Sequence, residues 1–295
     1  MKISVSSYSF RQYISAGKMT QLDAVSCAAR MGFDAIEFID LKPDREKAPT
    51  HEEQMEYARA IRAEAERCGI EVSSYVVGAD LYKGSKEADD AEVQRICRAV
   101  DVACELGAKI LRHDVTYSQT VNGKLVGFGR MLPTIADNAR RITEYASKKG
   151  IRTCTENHGF IAQDSDRLEA LFYAVDHDNY GLLVDTGNFA CVDEDSVKAV
   201  SRLAPYAIHA HVKDFVVYEY GQPLPDGISG ILTRGCRHLV GCAVGDGDMP
   251  TEQCLAILKR AGYDGYVVIE FEGYKDCISE IERGLSKVRE YLGRI

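Results

Sequence analysis

Short apolar runs alternate with longer amphipathic stretches along the whole chain. The runs lie at residues 3–8, 35–39, 71–77, 109–113, 152–156, 181–185, 207–211 and 266–271. Most are rich in β-branched residues, the pattern of parallel strands covered on both faces. Each is followed by helical spacing, at residues 22–31, 51–68, 91–106, 132–149, 165–176, 196–203, 251–260 and 276–292. In the first of these, Leu22, Val25, Ala28 and Ala29 recur at helical intervals. Gly32, Gly69, Gly107, Gly150 and Gly262 stand where a helix should stop and turn back, as C-terminal caps do.

Eight strand–helix units with no linker or low-complexity break predict one α/β domain over residues 1–295, a closed (β/α)₈ TIM barrel. An open doubly wound sheet usually carries a Gly-rich phosphate loop after its first strand. Here the first strand ends Ser7-Tyr8-Ser9-Phe10-Arg11, with no glycine. One connection is long: residues 214–250, rich in Gly, Pro, Arg and Tyr, read as a functional loop without regular structure. Within it, Gly245-Asp246-Gly247-Asp248 reads as the turn that starts the next helix, with Asp248 as its cap.

Composition narrows the function. At 45% hydrophobic and 27% charged, the 295 residues have ample material for a core. A net charge of −9 argues against a nucleic-acid surface, which needs clustered Lys and Arg. Ten cysteines occur without a Cys-x-x-Cys pair, so they read as reduced thiols of a cytoplasmic protein. The N-terminus enters a strand directly, without a signal-peptide layout, and no apolar stretch approaches the length needed to span a membrane.

Strand ends carry the chemistry. Glu156, Asp185, His211 and Glu270 close the apolar runs of strands five to eight. In a barrel such ends converge on one mouth. Three carboxylates and an imidazole form a hard, oxygen-rich set that suits one divalent ion: Mn²⁺ first, then Co²⁺ or Mg²⁺, with Zn²⁺ an alternative. His209 shares a strand face with His211, and Glu272 with Glu270. His209 reads as a core or supporting histidine, and Glu272 as a mouth residue or the partner of a nearby cation. His113 and His158 are candidates for binding substrate hydroxyls or supporting the metal, and Asn188 and Lys213 also face the expected mouth as substrate-binding candidates, Lys213 to polarise a carbonyl. For His113 and His158 the plainer reading is a polar strand end, and Lys213 could equally pair with Asp214. Arg234, Arg237 and His238 offer a phosphate clamp, or only a solvated loop.

Glu156-Asn157-His158-Gly159, Val184-Asp185-Thr186-Gly187-Asn188, His209-x-His211-x-Lys213-Asp214 and Ile269-Glu270-Phe271-Glu272-Gly273 together resemble the sugar (phosphate) isomerase/epimerase family. That family belongs to the xylose-isomerase-like barrel superfamily. The resemblance places the family's metal-binding Glu, Asp, His and Glu on Glu156, Asp185, His211 and Glu270. Glu37, in Ile36-Glu37-Phe38, is similar to a common pocket residue of the first half. The chain departs from endonuclease IV-type relatives, whose further metal ligands it lacks. It also departs from the large xylose isomerases, whose Lys-x-Asp-x-Asp-type cluster is missing. The ketose 3-epimerases carry an Arg soon after the strand-seven histidine, whereas here the nearest are Arg234 and Arg237.

The resemblance implies an isomerase or epimerase acting on a small sugar or sugar phosphate, with no nucleic-acid or membrane partner. Glu156 and Glu270 would flank the substrate. One would remove a proton to give an enediolate, and the other would return it. The alternatives are a metal-dependent lyase or dehydratase on an inositol-type or oxidised sugar, glycoside β-elimination included, and a non-catalytic sugar-binding protein. Barrels of this size often pair, so a homodimer is expected.

Overall fold

Eight of the apolar runs form parallel strands that close on one another. The computed structural model describes residues 1–44 and 46–295. Its strands are β1 Lys2–Ser6, β2 Ala35–Ile39, β3 Glu71–Val77, β4 Ile110–His113, the hairpin β5 Thr120–Val121 and β6 Lys124–Leu125, β7 Arg152–Glu156, β8 Tyr180–Asp185, β9 Ala207–Val212, β10 Asp214–Tyr218, β11 Ile231–Leu232, β12 His238–Cys242 and β13 Tyr266–Ile269. Its helices are α1 Arg11–Ser15, α2 Gln21–Met31, α3 His51–Cys68, α4 Lys86–Leu106, α5 Phe128–Ser147, α6 Ser165–Val175, α7 Ser196–Leu203, α8 Thr251–Arg260 and α9 Cys277–Arg294. The closed order is β1-β13-β9-β8-β7-β4-β3-β2, and pairing of Ser4 with Val268 in parallel register seals the barrel.

Packing explains the local choices. Every residue of β8 is buried, as in a strand with a filled barrel on one side and helices on the other. α9 buries Ile281, Leu285 and Val288, one stripe at helical spacing, and each such side chain contributes about 1.5–3 kcal/mol. Thr20 and Thr50 open α2 and α3 with reciprocal capping boxes. Gly32 and Gly69 end them in the left-handed conformation, at φ 87° and 69°, where a side chain would be strained. Gly107 caps α4 in the same way. After α5 and α8 the caps are Lys148 and Ala261, and the expected glycines follow them.

The structure corrects the sequence reading in several places. Residues 214–250 are not an irregular loop: β10, β12 and β11 form an antiparallel sheet, with Val216 opposite Val240. Asp248 does not cap α8; its carboxylate accepts the backbone N–H of Val217 at 2.8 Å, and Pro250 occupies the cap position. α5 begins at Phe128, earlier than Pro133 implies for a residue that favours first turns. β1 stops at Ser6, so Tyr8 lies in a 3₁₀ turn, and β13 stops at Ile269, just before Glu270. All ten cysteines are unpaired. No described helix is long and apolar enough to cross a membrane.

Candidate metal centre

Strand ends bring four side chains together at the C-terminal face of the barrel. Glu156 and Asp185 end β7 and β8, His211 is the penultimate residue of β9, and Glu270 follows β13. One ligand atom from each lies within 4.8 Å of the others. Glu156, Asp185 and His211 are buried, and Glu270 is nearly so.

Each carboxylate is held by its own motif. Asp185 Oδ1 accepts the backbone N–H groups of Gly187 at 2.7 Å and Asn188 at 3.0 Å, which turns Oδ2 toward the centre. Gly187 is needed for this turn, since a Cβ there would lie 2.9 Å from the Lys213 carbonyl oxygen. Asn157 exchanges two 2.8 Å hydrogen bonds with the Asp185 backbone and locks β7 to β8 at this level. Asn188 Nδ2 donates to Glu156 Oε1 at 2.8 Å, so Asn188 orients a carboxylate of the centre.

His211 is held from behind. Its Nε2 lies 3.0 Å from Glu37 Oε2, on which His209 Nε2 and the Ser74 hydroxyl also converge. Glu37 is therefore not an open pocket residue; it is buried beneath His211. Burial alone would raise the Glu37 carboxyl, but His211 and His209 hold it well below the usual carboxylate range. For His211, burial favours the neutral ring, and the charges of Glu37 and Glu156 outweigh it, raising the imidazole to about 9.

Two atoms test whether this set fits a cation. His211 Nδ1 is buried without a hydrogen-bond partner among the described residues, and Asp185 Oδ2 faces the Lys213 ammonium at 3.2 Å. Buried polar atoms are ordinarily paired. His211 Nδ1 is 3.9 Å from Glu156 Oε1 and 4.0 Å from Asp185 Oδ2, a gap that two ligand bonds of about 2.0–2.2 Å can span. The residues present fit a divalent ion.

Lys213 brings its own positive charge. Its ammonium pairs closely with Glu270 and lies 3.2 Å from Asp185 Oδ2 and 3.3 Å from Glu272 Oε2. Pairing with Asp214 does not occur, because Asp214 accepts backbone N–H groups from Phe215, Gly245 and Met249. Burial would lower the Lys213 pKa, but the carboxylates around it raise it well above its usual range.

Two other expected residues point elsewhere. His113 is fully buried, its Nδ1 hydrogen-bonded to the Asp114 carbonyl at 2.8 Å. Alternation along β4 puts it on the face opposite Arg112, away from the centre. Arg237 does not reach the four ligands: it pairs with Asp193 at 2.9 Å and approaches Glu219 at 3.5 Å. Arg234 is likewise occupied, by Asp164 and the Phe160 carbonyl. His158 stays at the mouth, its Nδ1 3.0 Å from Asp114 Oδ1 and its side chain 44% exposed.

Sequence reasoning missed Arg112. It is buried and bridges Glu156 at 2.6 Å to Asp114 at 2.9 Å. The available signal was a charged residue inside the apolar run Ile110-Leu111-Arg112-His113, which a buried strand tolerates only with a partner.

Residues 25–294 match the family described as "Xylose isomerase-like TIM barrel". The chain belongs to that family. Inosose dehydratase of Clostridium perfringens is 24% identical over 172 residues, which is 58% of this xylose isomerase-like chain and 57% of that protein. The chain thus spans little more than half the length of that relative. The IOLI protein with a bound zinc atom shares the fold at TM-score 0.74 and 14% identity, covering 100% of this chain and 99% of that one. D-Psicose 3-epimerase, solved in the presence of D-fructose, does so at TM-score 0.72 and 17% identity, covering 99% and 100%.

Proposed function

We propose that this chain is a divalent-metal-dependent sugar isomerase or epimerase. It would move a proton at a carbon beside a substrate carbonyl, with Glu156 and Glu270 as the acid/base pair. The observation that carries this reading is the buried, unpartnered His211 Nδ1, facing one space with ligand atoms of Glu156, Asp185 and Glu270. Glu156, Asp185, His211 and Glu270 would hold the ion. Mn²⁺ suits this oxygen-rich set first, then Co²⁺ or Mg²⁺, and the zinc in the IOLI neighbour keeps Zn²⁺ among the candidates. Bound there, the ion would supply the positive charge that stabilises an electron-rich substrate oxygen.

The chain's own residues do the rest. Arg112 and Asn188 fix one oxygen each of Glu156. Lys213 sits against Glu270 and can carry hydrogen-bond donors to a substrate oxygen between Asp185 and Glu270. Two carboxylates arising from β7 and β13 can address a substrate from different directions, one accepting a proton and the other returning it. His158, backed by Asp114, offers a further donor at the open edge.

A second reading keeps the same residues and ends in loss of water. It is supported by the dehydratase relatives, among them the Clostridium perfringens and Lacticaseibacillus casei proteins. The test is incubation of metal-loaded protein with ketoses, ketose phosphates and inososes in D₂O. Proton return gives a sugar of unchanged composition except for deuterium in place of hydrogen, and elimination gives a dehydrated product. Glu156→Gln and Glu270→Gln should each abolish both; full exchange by both variants would overturn the assignment.

A further inference from the structure

A cavity of about 640 Å³ opens at the same end of the barrel, between the turn after β1 and the segment after β2. None of the four candidate ligands lines it. Tyr8 joins the two spaces: it lines the cavity, and Arg11 ties its hydroxyl to the backbone carbonyl of Glu272, whose carboxylate is 3.3 Å from the Lys213 ammonium that pairs with Glu270. The volume falls within the range of about 300–1,000 Å³ that encloses drug-sized ligands. A single sugar ring at the metal centre has no use for it.

The lining identifies the occupant. Ile14, Met19, Ile39 and Tyr57 supply apolar wall beside Tyr8. Among the described residues the charges cancel, with Arg11 and Lys42 against Asp40 and Asp44. Arg11 is already engaged, donating to the Tyr8 hydroxyl and the Glu272 carbonyl with its guanidinium 4.6 Å from the Tyr8 ring centroid. Among the described lining residues a phosphoryl group would find no net positive charge, and the guanidinium of Arg11 is already engaged. The arginines of the 214–250 segment are also committed to carboxylates.

We infer that this cavity is a second compartment of the substrate site, taking an uncharged, apolar, ring-bearing substituent. The natural substrate is then a glycoside-type derivative whose sugar ring bears a keto group, the carbonyl that the proposed proton transfer needs, and not a free monosaccharide or a sugar phosphate. The inference rests on the reading of the metal centre as the place where the sugar is processed. Tyr8 stands at the junction, where the bond between sugar and substituent would lie.

The test uses full-length, Mn²⁺-loaded protein and calorimetric titration with matched methyl and phenyl glycosides of glucose, galactose and xylose, and with glucose 6-phosphate. For at least one sugar the phenyl member should bind roughly tenfold or more tightly than the methyl member, the scale expected from burying an aromatic ring. Ile14→Trp and Met19→Trp, which fill the cavity, should cut that ratio to about threefold or less while keeping a wild-type melting profile. Equal affinities within every pair would overturn the compartment. So would tighter binding of the phosphate ester than of any phenyl glycoside, or a phenyl preference that survives in both folded tryptophan variants. Deuterium uptake is scored separately, on the ketoses and inososes, because these glycosides have no carbonyl to activate a C–H bond: exchange without a phenyl preference removes the compartment alone, and a phenyl preference without exchange or elimination removes the proposed reaction alone.

Discussion

His211 Nε2 lies 3.0 Å from Glu37 Oε2, and this contact turns the opposite ring nitrogen toward Glu156 and Asp185. A buried carboxylate behind a histidine sets the ring's orientation and tautomer and strengthens the free nitrogen as a ligand. Glu37→Gln keeps the shape and removes the charge. Mn²⁺ affinity should fall roughly 10–100-fold, with loss of activity at limiting metal and recovery at excess. Metal titration by calorimetry reads this directly; wild-type affinity in the folded variant would show that the barrel wall alone holds the ring.

Lys213 makes a different prediction, because it puts a monovalent charge among the ligand carboxylates. Lys213→Met leaves Asp185, Glu270 and Glu272 facing one another in a buried space. Without metal, the variant should lose about 3–5 kcal/mol, the usual cost of breaking a buried ion pair. With saturating Mn²⁺ the gap should narrow, since a divalent charge replaces the ammonium. Thermal melts with and without metal give the comparison, and an equal loss in both conditions would place Lys213 outside the metal's field.

Much of this was legible from strand ends. Glu156, Asp185 and His211 each close an apolar run, and the order of runs fixes which barrel neighbours meet. The roles of Glu37 and Asn188 were less legible, since a strand-end polar residue reads alike whether it faces substrate or props another side chain. Arg112 was missed because its partners, Asp114 and Glu156, lie on a following turn and on a neighbouring strand. The sheet within residues 214–250 was hidden by its short strands and by glycines such as Gly241 in β12, which weaken a strand signal. Pairing of β10 with β12 across a long excursion is a tertiary outcome that local pattern does not encode.

Arg237 tests the phosphate-clamp expectation. Its pair with Asp193 ties the 214–250 segment to the loop after β8, Glu219 lies within that same segment, and its side chain is 31% exposed. Such a pair contributes about 0.2–1 kcal/mol. Arg237→Ala should change urea stability by no more than that, and should leave the KM for sugar phosphates and for neutral sugars unchanged relative to each other. A selective rise in KM for phosphates would restore the clamp.

Arg112 should be among the costliest single losses near the site. It is buried at the meeting point of Glu156 and Asp114, and those carboxylates raise its already high pKa further against burial. Removing one member of such a group leaves uncompensated charge in a low-dielectric space, at about 3–5 kcal/mol. The two carboxylates are not left equal in Arg112→Met. Asp114 keeps His158 and the Tyr117 hydroxyl, while Glu156 keeps, among the described residues, the Asn188 hydrogen bond and the facing His211. The orphaned charge is thus mainly that of Glu156, and a cation in the neighbouring site can offset it. Urea unfolding of Arg112→Met should show the full loss in chelator and a smaller one in Mn²⁺. A loss below about 1 kcal/mol in chelator would mean that the bridge is screened like a surface pair. A full loss unaffected by metal would separate Glu156 from the ion.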